Sequence, residues 1–131
     1  MTIDYAKEYI SQREYQMLDD NSEDGHIAFR YQISTVHLWA TSTEHDFFVL
    51  TLPNFADVTD DNMDHVKEIC HHVNKEGKQV KLFVLNDVII ASAELYYLTK
   101  ADFNYQMTKA LRNLVAAKVA YKKMYPLDGN I

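Results

Sequence analysis

The sequence predicts an α+β domain, an antiparallel sheet of about five strands with helices at the N-terminus, middle and C-terminus. Three observations predict it. Val80 to Leu98 places two apolar, β-branched runs on either side of Asn86-Asp87, the pattern of a hairpin. Residues 26–52 fall into short runs separated by polar turns, the spacing of an antiparallel meander. In three other segments the apolar period changes to three and four, the period of a helix.

The order is helix, three or four strands, helix, two strands, helix. Residues 2 to about 14 predict the first helix, because Ile3, Ala6 and Ile10, with Met17 beyond, recur at helical spacing; Thr2 is its expected cap. Tyr15 to Leu18 reads as the end of this helix or as a short first strand, and the polar turn Asp19–Gly25 that follows favours the strand. His26 to Ile33 alternates, with Ile27, Phe29 and Tyr31 on one side. A turn at Ser34-Thr35 leads to a strand over Val36–Ala40, and the polar turn 41–46 to a strand over Phe47–Leu52, stopped by Pro53.

Residues 60–76 carry Met63, Val66, Ile69, Cys70 and Val73 on one helical face. Asp60, Asp61 and Asp64 crowd the start of that helix, with Lys75 near its end and Gly77 after it. In the hairpin, Leu85 faces Val88 and Val84 faces Ile89. One hairpin face then holds Val80, Leu82, Val84, Ile89, Ala91, Ala93 and Leu95 and must be core; the other holds Lys81, Phe83, Leu85, Val88, Ile90, Ser92, Glu94 and Tyr96. Thr99 to Asp102 resembles a capping box with Asp in place of Glu. The last helix follows, with an apolar stripe from Phe103 to Met124 and an end near Tyr125. Residues 126–131 are expected to be a flexible tail on a single domain spanning 1–131.

The chain has 131 residues and a net charge of −6, which argues against a nucleic-acid footprint, since that needs a basic face. Cys70 is the sole cysteine, so no intramolecular disulfide can form. The first residues lack the basic start and apolar run of a signal peptide, and no apolar run reaches the ~18 residues of a membrane helix. The expectation is a cytoplasmic protein without membrane contact.

Little in the sequence points to chemistry. His65, Cys70, His71 and His72 lie on one helix, but adjacent residues there point about 100° apart and do not converge on a metal. His26, His37 and His45 are scattered over strands and turns. The carboxylates of 19–25 lack the ligand spacing of a calcium loop, Ser92 lacks a nucleophile elbow, and none of the three glycines lies in a phosphate loop. No catalytic residue, metal or cofactor is assigned, and an enzyme is not expected.

The remaining signal is surface. Phe83, Leu85, Val88 and Ile90, with Tyr96 beyond, share the second hairpin face. If no helix covers it, that face is an apolar patch of the kind that marks an interface; otherwise it packs under a helix. The middle helix and the sheet edges are further routes to a partner, the edges by strand addition. The competing reading is a small-ligand sensor or enzyme with His37, Trp39 and tyrosines in a pocket between sheet and helix.

With this order in place, the chain resembles the type III secretion chaperone-like fold, and within it the YbjN-type family of small bacterial proteins. The residues that carry the resemblance are Glu23 to Gln32, the aromatic-rich strand ending at Leu52-Pro53, Val73-Asn74-Lys75, and Glu94-Leu-Tyr-Tyr-Leu98 before the long final helix. It covers residues 3 to 125. It implies a cytoplasmic, often dimeric, acidic domain without catalytic residues, chaperone- or regulator-like, that binds a segment of a partner protein or a second copy of itself.

Overall fold

The computed structural model describes residues 1–53 and 55–129, with the backbone alone at 127–129. The elements are α1 (Thr2–Gln12), β1 (Met17–Asn21), β2 (His26–Tyr31), β3 (Ser34–Ala40), β4 (Phe47–Leu52), α2 (Met63–Glu76), β5 (Val80–Leu85), β6 (Val88–Tyr96) and α3 (Lys100–Gly129). The class and element order are those the sequence predicts. The strands form one antiparallel sheet in the order β1-β2-β3-β4-β6-β5.

The sheet has six strands rather than about five, because the segment before the first polar turn is a strand of it; two boundaries also differ. β1 begins at Met17 and runs through Asp19-Asp20-Asn21, so the turn shrinks to a 3-10 turn at Ser22–Asp24 closed by Gly25. Gly25 has φ 75° and packs so closely on the Ala40 carbonyl that a Cβ there would lie 2.3 Å from its oxygen. Ser34-Thr35 belongs to β3, and the turn before it is Gln32-Ile33, with Tyr31 paired to Ser34. Both two-residue turns put positive φ on their first residue, Gln32 at 56° and Asn86 at 57°, which suits the right-handed twist of the strands they join.

Helix ends differ in detail. Thr2 is the first residue of α1 rather than its cap; its hydroxyl hydrogen-bonds the Tyr97 hydroxyl at 2.5 Å and donates to the His45 carbonyl at 3.2 Å. At α3 the expected capping pattern is present. The Thr99 hydroxyl accepts from the Asp102 amide at 3.1 Å, and the Asp102 carboxylate accepts from the Leu98 amide at 2.9 Å. The end expected near Tyr125 falls inside α3, which continues through Pro126 to Gly129. A proline this near the end removes a single ladder bond. Residues 130 and 131 lie outside the described residues.

Alternation along each strand sends one set of side chains to the core. Ile27, Phe29, Val36, Leu38, Phe48, Leu50, Leu82, Ile89, Ala91 and Leu95 are buried on one face of the sheet. They meet Tyr9 and Ile10 of α1, Val66, Ile69 and Val73 of α2, and Phe103, Met107, Leu111 and Leu114 of α3 in a single cluster. All three helices therefore lie on this face. Among the described residues no helix is long and apolar enough to cross a membrane.

Candidate functional site

With the helices all on one side, the opposite face of the sheet is left without cover. This settles the choice the sequence left open for the second hairpin face. Phe83 is 42% exposed, Leu85 49% and Tyr96 59%, while Val88 and Ile90 are half-buried between neighbouring strands. Register brings them together: Phe83 lies across from Ile90, and Leu85 across from Val88. Tyr96 lies at the other end of β6, paired across strands with Phe47, their rings 4.8 Å apart. A hydrogen bond to the Glu44 carboxylate, with its negative charge, raises the Tyr96 phenol above its ordinary value. The hairpin corner is apolar and uncovered.

His37 and Trp39 sit on this same open face, not in a pocket between sheet and helix. The reason is strand alternation: Val36 and Leu38 take the core positions, so His37 and Trp39 must point the other way. Trp39 is 45% exposed, and its indole N–H donates to the Thr51 hydroxyl at 3.3 Å. His26 of β2 stacks on Trp39 with centroids 4.0 Å apart and on His37 at 5.0 Å. His26 Nε2 and His37 Nδ1 are 2.7 Å apart, a hydrogen bond between two imidazoles. Burial and the neighbouring His26 hold His37 below the ordinary histidine value, with Asp19 opposing them.

This His26–His37–Trp39 cluster is absent from the sequence reading because the turn before β3 sits two residues earlier than expected. A turn at Ser34-Thr35 pairs Ile33 with Val36 and carries His26 past Trp39. The observed turn pairs His26 with Trp39 and Ala28 with His37. The signal available was Tyr31-Gln-Ile-Ser34, where Gln tolerates the first turn position.

The sheet edges are protected. β1 carries Asp19 and Asp20 and a register shift between Met17 and Asp19, both of which oppose strand addition. On β5, Leu82 points its backbone groups away from β6, and the Asn74 side chain of α2 takes both. Its amide donates to the Leu82 carbonyl at 2.9 Å and its oxygen accepts from the Leu82 N–H at 2.6 Å. A client strand would have to displace Asn74. The middle helix offers no apolar outer face either, since Val66, Ile69, Cys70 and Val73 are buried and Lys67, Glu68, His71, His72 and Lys75 are exposed.

The other sequence candidates are dispersed. Among the described residues no three His, Cys, Asp or Glu side chains are grouped to hold a metal. Cys70 is buried, which pushes its thiol up to about 11. His65 is tied to the Tyr125 carbonyl at 3.0 Å.

No family model matches the chain, and no curated protein matches it in sequence. Solved structures do match in fold. The chain is similar to E. coli YbjN, with a TM-score of 0.71, 8% identity, and coverage of 93% of this chain and 92% of that one. It is similar to an uncharacterized protein of Methanothermobacter thermautotrophicus, with a TM-score of 0.66, 11% identity, and coverage of 95% and 96%. It is similar also to the Yersinia pestis type III secretion chaperone SycH, solved in complex with a fragment of YscM2, with a TM-score of 0.64, 15% identity, and coverage of 92% and 99%. The chain thus has the YbjN and type III secretion chaperone-like fold that Glu23 to Gln32 and the final strand and helix pointed to.

Proposed function

We propose that this chain is a non-enzymatic protein-binding module, chaperone- or regulator-like, that works in the cytoplasm as a homodimer and takes a segment of a partner protein on its open sheet face. The observation that carries this reading is the uncovered apolar corner of Phe83, Leu85, Val88 and Ile90 on a sheet whose three helices all pack on the other side. Tyr96 extends the surface along β6. The complex of SycH with a YscM2 fragment lends it support, because that chaperone shares the fold and holds a protein partner. The protected edges favour side-chain contacts with the face over strand addition.

The test is capture from native lysate of the source with the tagged wild type, Phe83→Asp and Ile90→Asp. The wild type is expected to retain a stoichiometric partner that both folded variants lose. Equal capture by all three would remove this face as the binding surface. Light scattering addresses the dimer separately: a mass of twice the 15.3 kDa chain is expected, and a mass of 15.3 kDa would refute it.

A further inference from the structure

We infer that the His26–His37 pair is a pH-sensitive latch that holds Trp39 flat on the open face while at most one ring is protonated and releases it when both are. The latch is a property of the chain by itself; its use to regulate a partner rests on the reading of the open face as the binding surface.

The geometry sets the logic. A hydrogen bond between imidazoles needs one ring nitrogen to donate and the other to accept. β1 supplies a polar neighbour on the other side of His26. The Asn21 amide donates to the Asp19 carboxylate at 3.0 Å, which orients it, and its nitrogen lies 3.5 Å from His26 Nδ1. A donating Asn21 amide favours the tautomer in which His26 Nε2 carries the proton and donates to His37 Nδ1 across 2.7 Å; the reverse tautomer also leaves one donor and one acceptor at the contact. One added proton leaves a donor and an acceptor at the contact. A second puts N–H against N–H, and two positive rings 5.0 Å apart. The pair must then open. Because His26 is also the ring on which Trp39 stacks, opening removes that stack and leaves the indole held by the Thr51 hydroxyl.

The charged groups around the pair are few. Asp19 faces it from β1 and favours protonation of His37, and Arg30 lies two same-face steps from His26 along β2, across from Thr35. From β4 the neighbours are Val49 and Thr51, which carry no charge, and Glu94 of β6 lies one strand further, across from Val49. One carboxylate against a burial cost and a neighbouring imidazole leaves His37 below the ordinary histidine value.

Trp39 is the sole tryptophan, so its fluorescence reports on the latch directly. The emission of the isolated chain is recorded from pH 8 to pH 4.5 beside far-UV circular dichroism and NMR titration of the two ring Cε1–H signals. The expected result is a fluorescence transition with a midpoint below ~6.5, the ordinary histidine value, at constant dichroism, with two separated ring titrations. In His37→Gln, which has no second ring to protonate and no imidazole pair to open, the transition is expected to disappear. A flat emission, a transition that only accompanies loss of dichroism, coincident ring titrations, or a transition that persists in His37→Gln would overturn the latch. Those results leave the binding reading intact, whereas a normal transition in a chain that captures no partner leaves the latch and removes its use.

Discussion

The two faces of one sheet are built from the same strands and differ in almost everything else. The covered face is apolar, with Leu38, Phe48, Leu50 and Ile89 fully buried under three helices. The open face mixes an apolar corner at Phe83, Leu85, Val88 and Ile90 with a polar aromatic corner at His26, His37 and Trp39. The first face holds the fold together. The second keeps Phe83, Leu85, Trp39 and Tyr96 partly in water. That asymmetry separates residues needed for the fold from residues available for contact.

Substitutions can break or sharpen the contrast. The largest effect is expected on the covered side: Phe103→Ala removes a buried ring that touches Phe48, Tyr5 and Tyr97, and should cost ~3–5 kcal/mol in urea unfolding. The matched change on the open side, Phe83→Ala, should cost under ~1 kcal/mol. Near-equal losses would erase the distinction between the faces. Asn74→Ala comes next, since it leaves the Leu82 N–H and C=O without their partners; a loss of ~1–3 kcal/mol is expected, with new concentration-dependent association through the bared β5 edge. Thr99→Ala should cost ~1 kcal/mol through the lost cap of α3, read from the urea midpoint.

The smallest effects are those of pH and of the thiol. A histidine held below its unfolded value binds protons less readily in the native state, so stability from His37 is fully present above ~6.5 and declines as pH falls through that value. His37→Gln should flatten the acid side of the stability curve, and an unchanged slope would contradict this. Cys70, its thiol at about 11, should resist a thiol reagent at pH 8 until urea exposes it. Rapid labelling of the native chain would show that the α2–α3 contact opens easily.

The legible parts of the fold were those with strong local chemistry. Asn86-Asp87 fixed the hairpin and, through its register, the identity of both faces. Thr99 and Asp102 marked the start of α3. Boundaries failed where local propensity and pairing disagree. Asp19-Asp20-Asn21 has turn composition, yet β2 offers a partner for each residue and the stretch becomes a strand. Ser34-Thr35 looks like a turn, yet Ser34 is buried opposite Tyr31 and the exposed Ile33 takes the corner. Of the site, the apolar corner was legible because two-residue alternation is local. Its exposure was not, since that depends on which face three helices choose. The histidine cluster needed the β2–β3 register, which the misplaced turn hid.

The central claim, that the open face is the contact surface, is tested most directly by hydroxyl-radical footprinting of the chain alone and in its captured complex. Phe83, Leu85 and Tyr96 should be oxidised in the free chain and protected in the complex, while Tyr105, exposed on α3, should react alike in both. Unchanged labelling of the three, or protection of Tyr105 alone, would contradict the account and move the contact to the helical side.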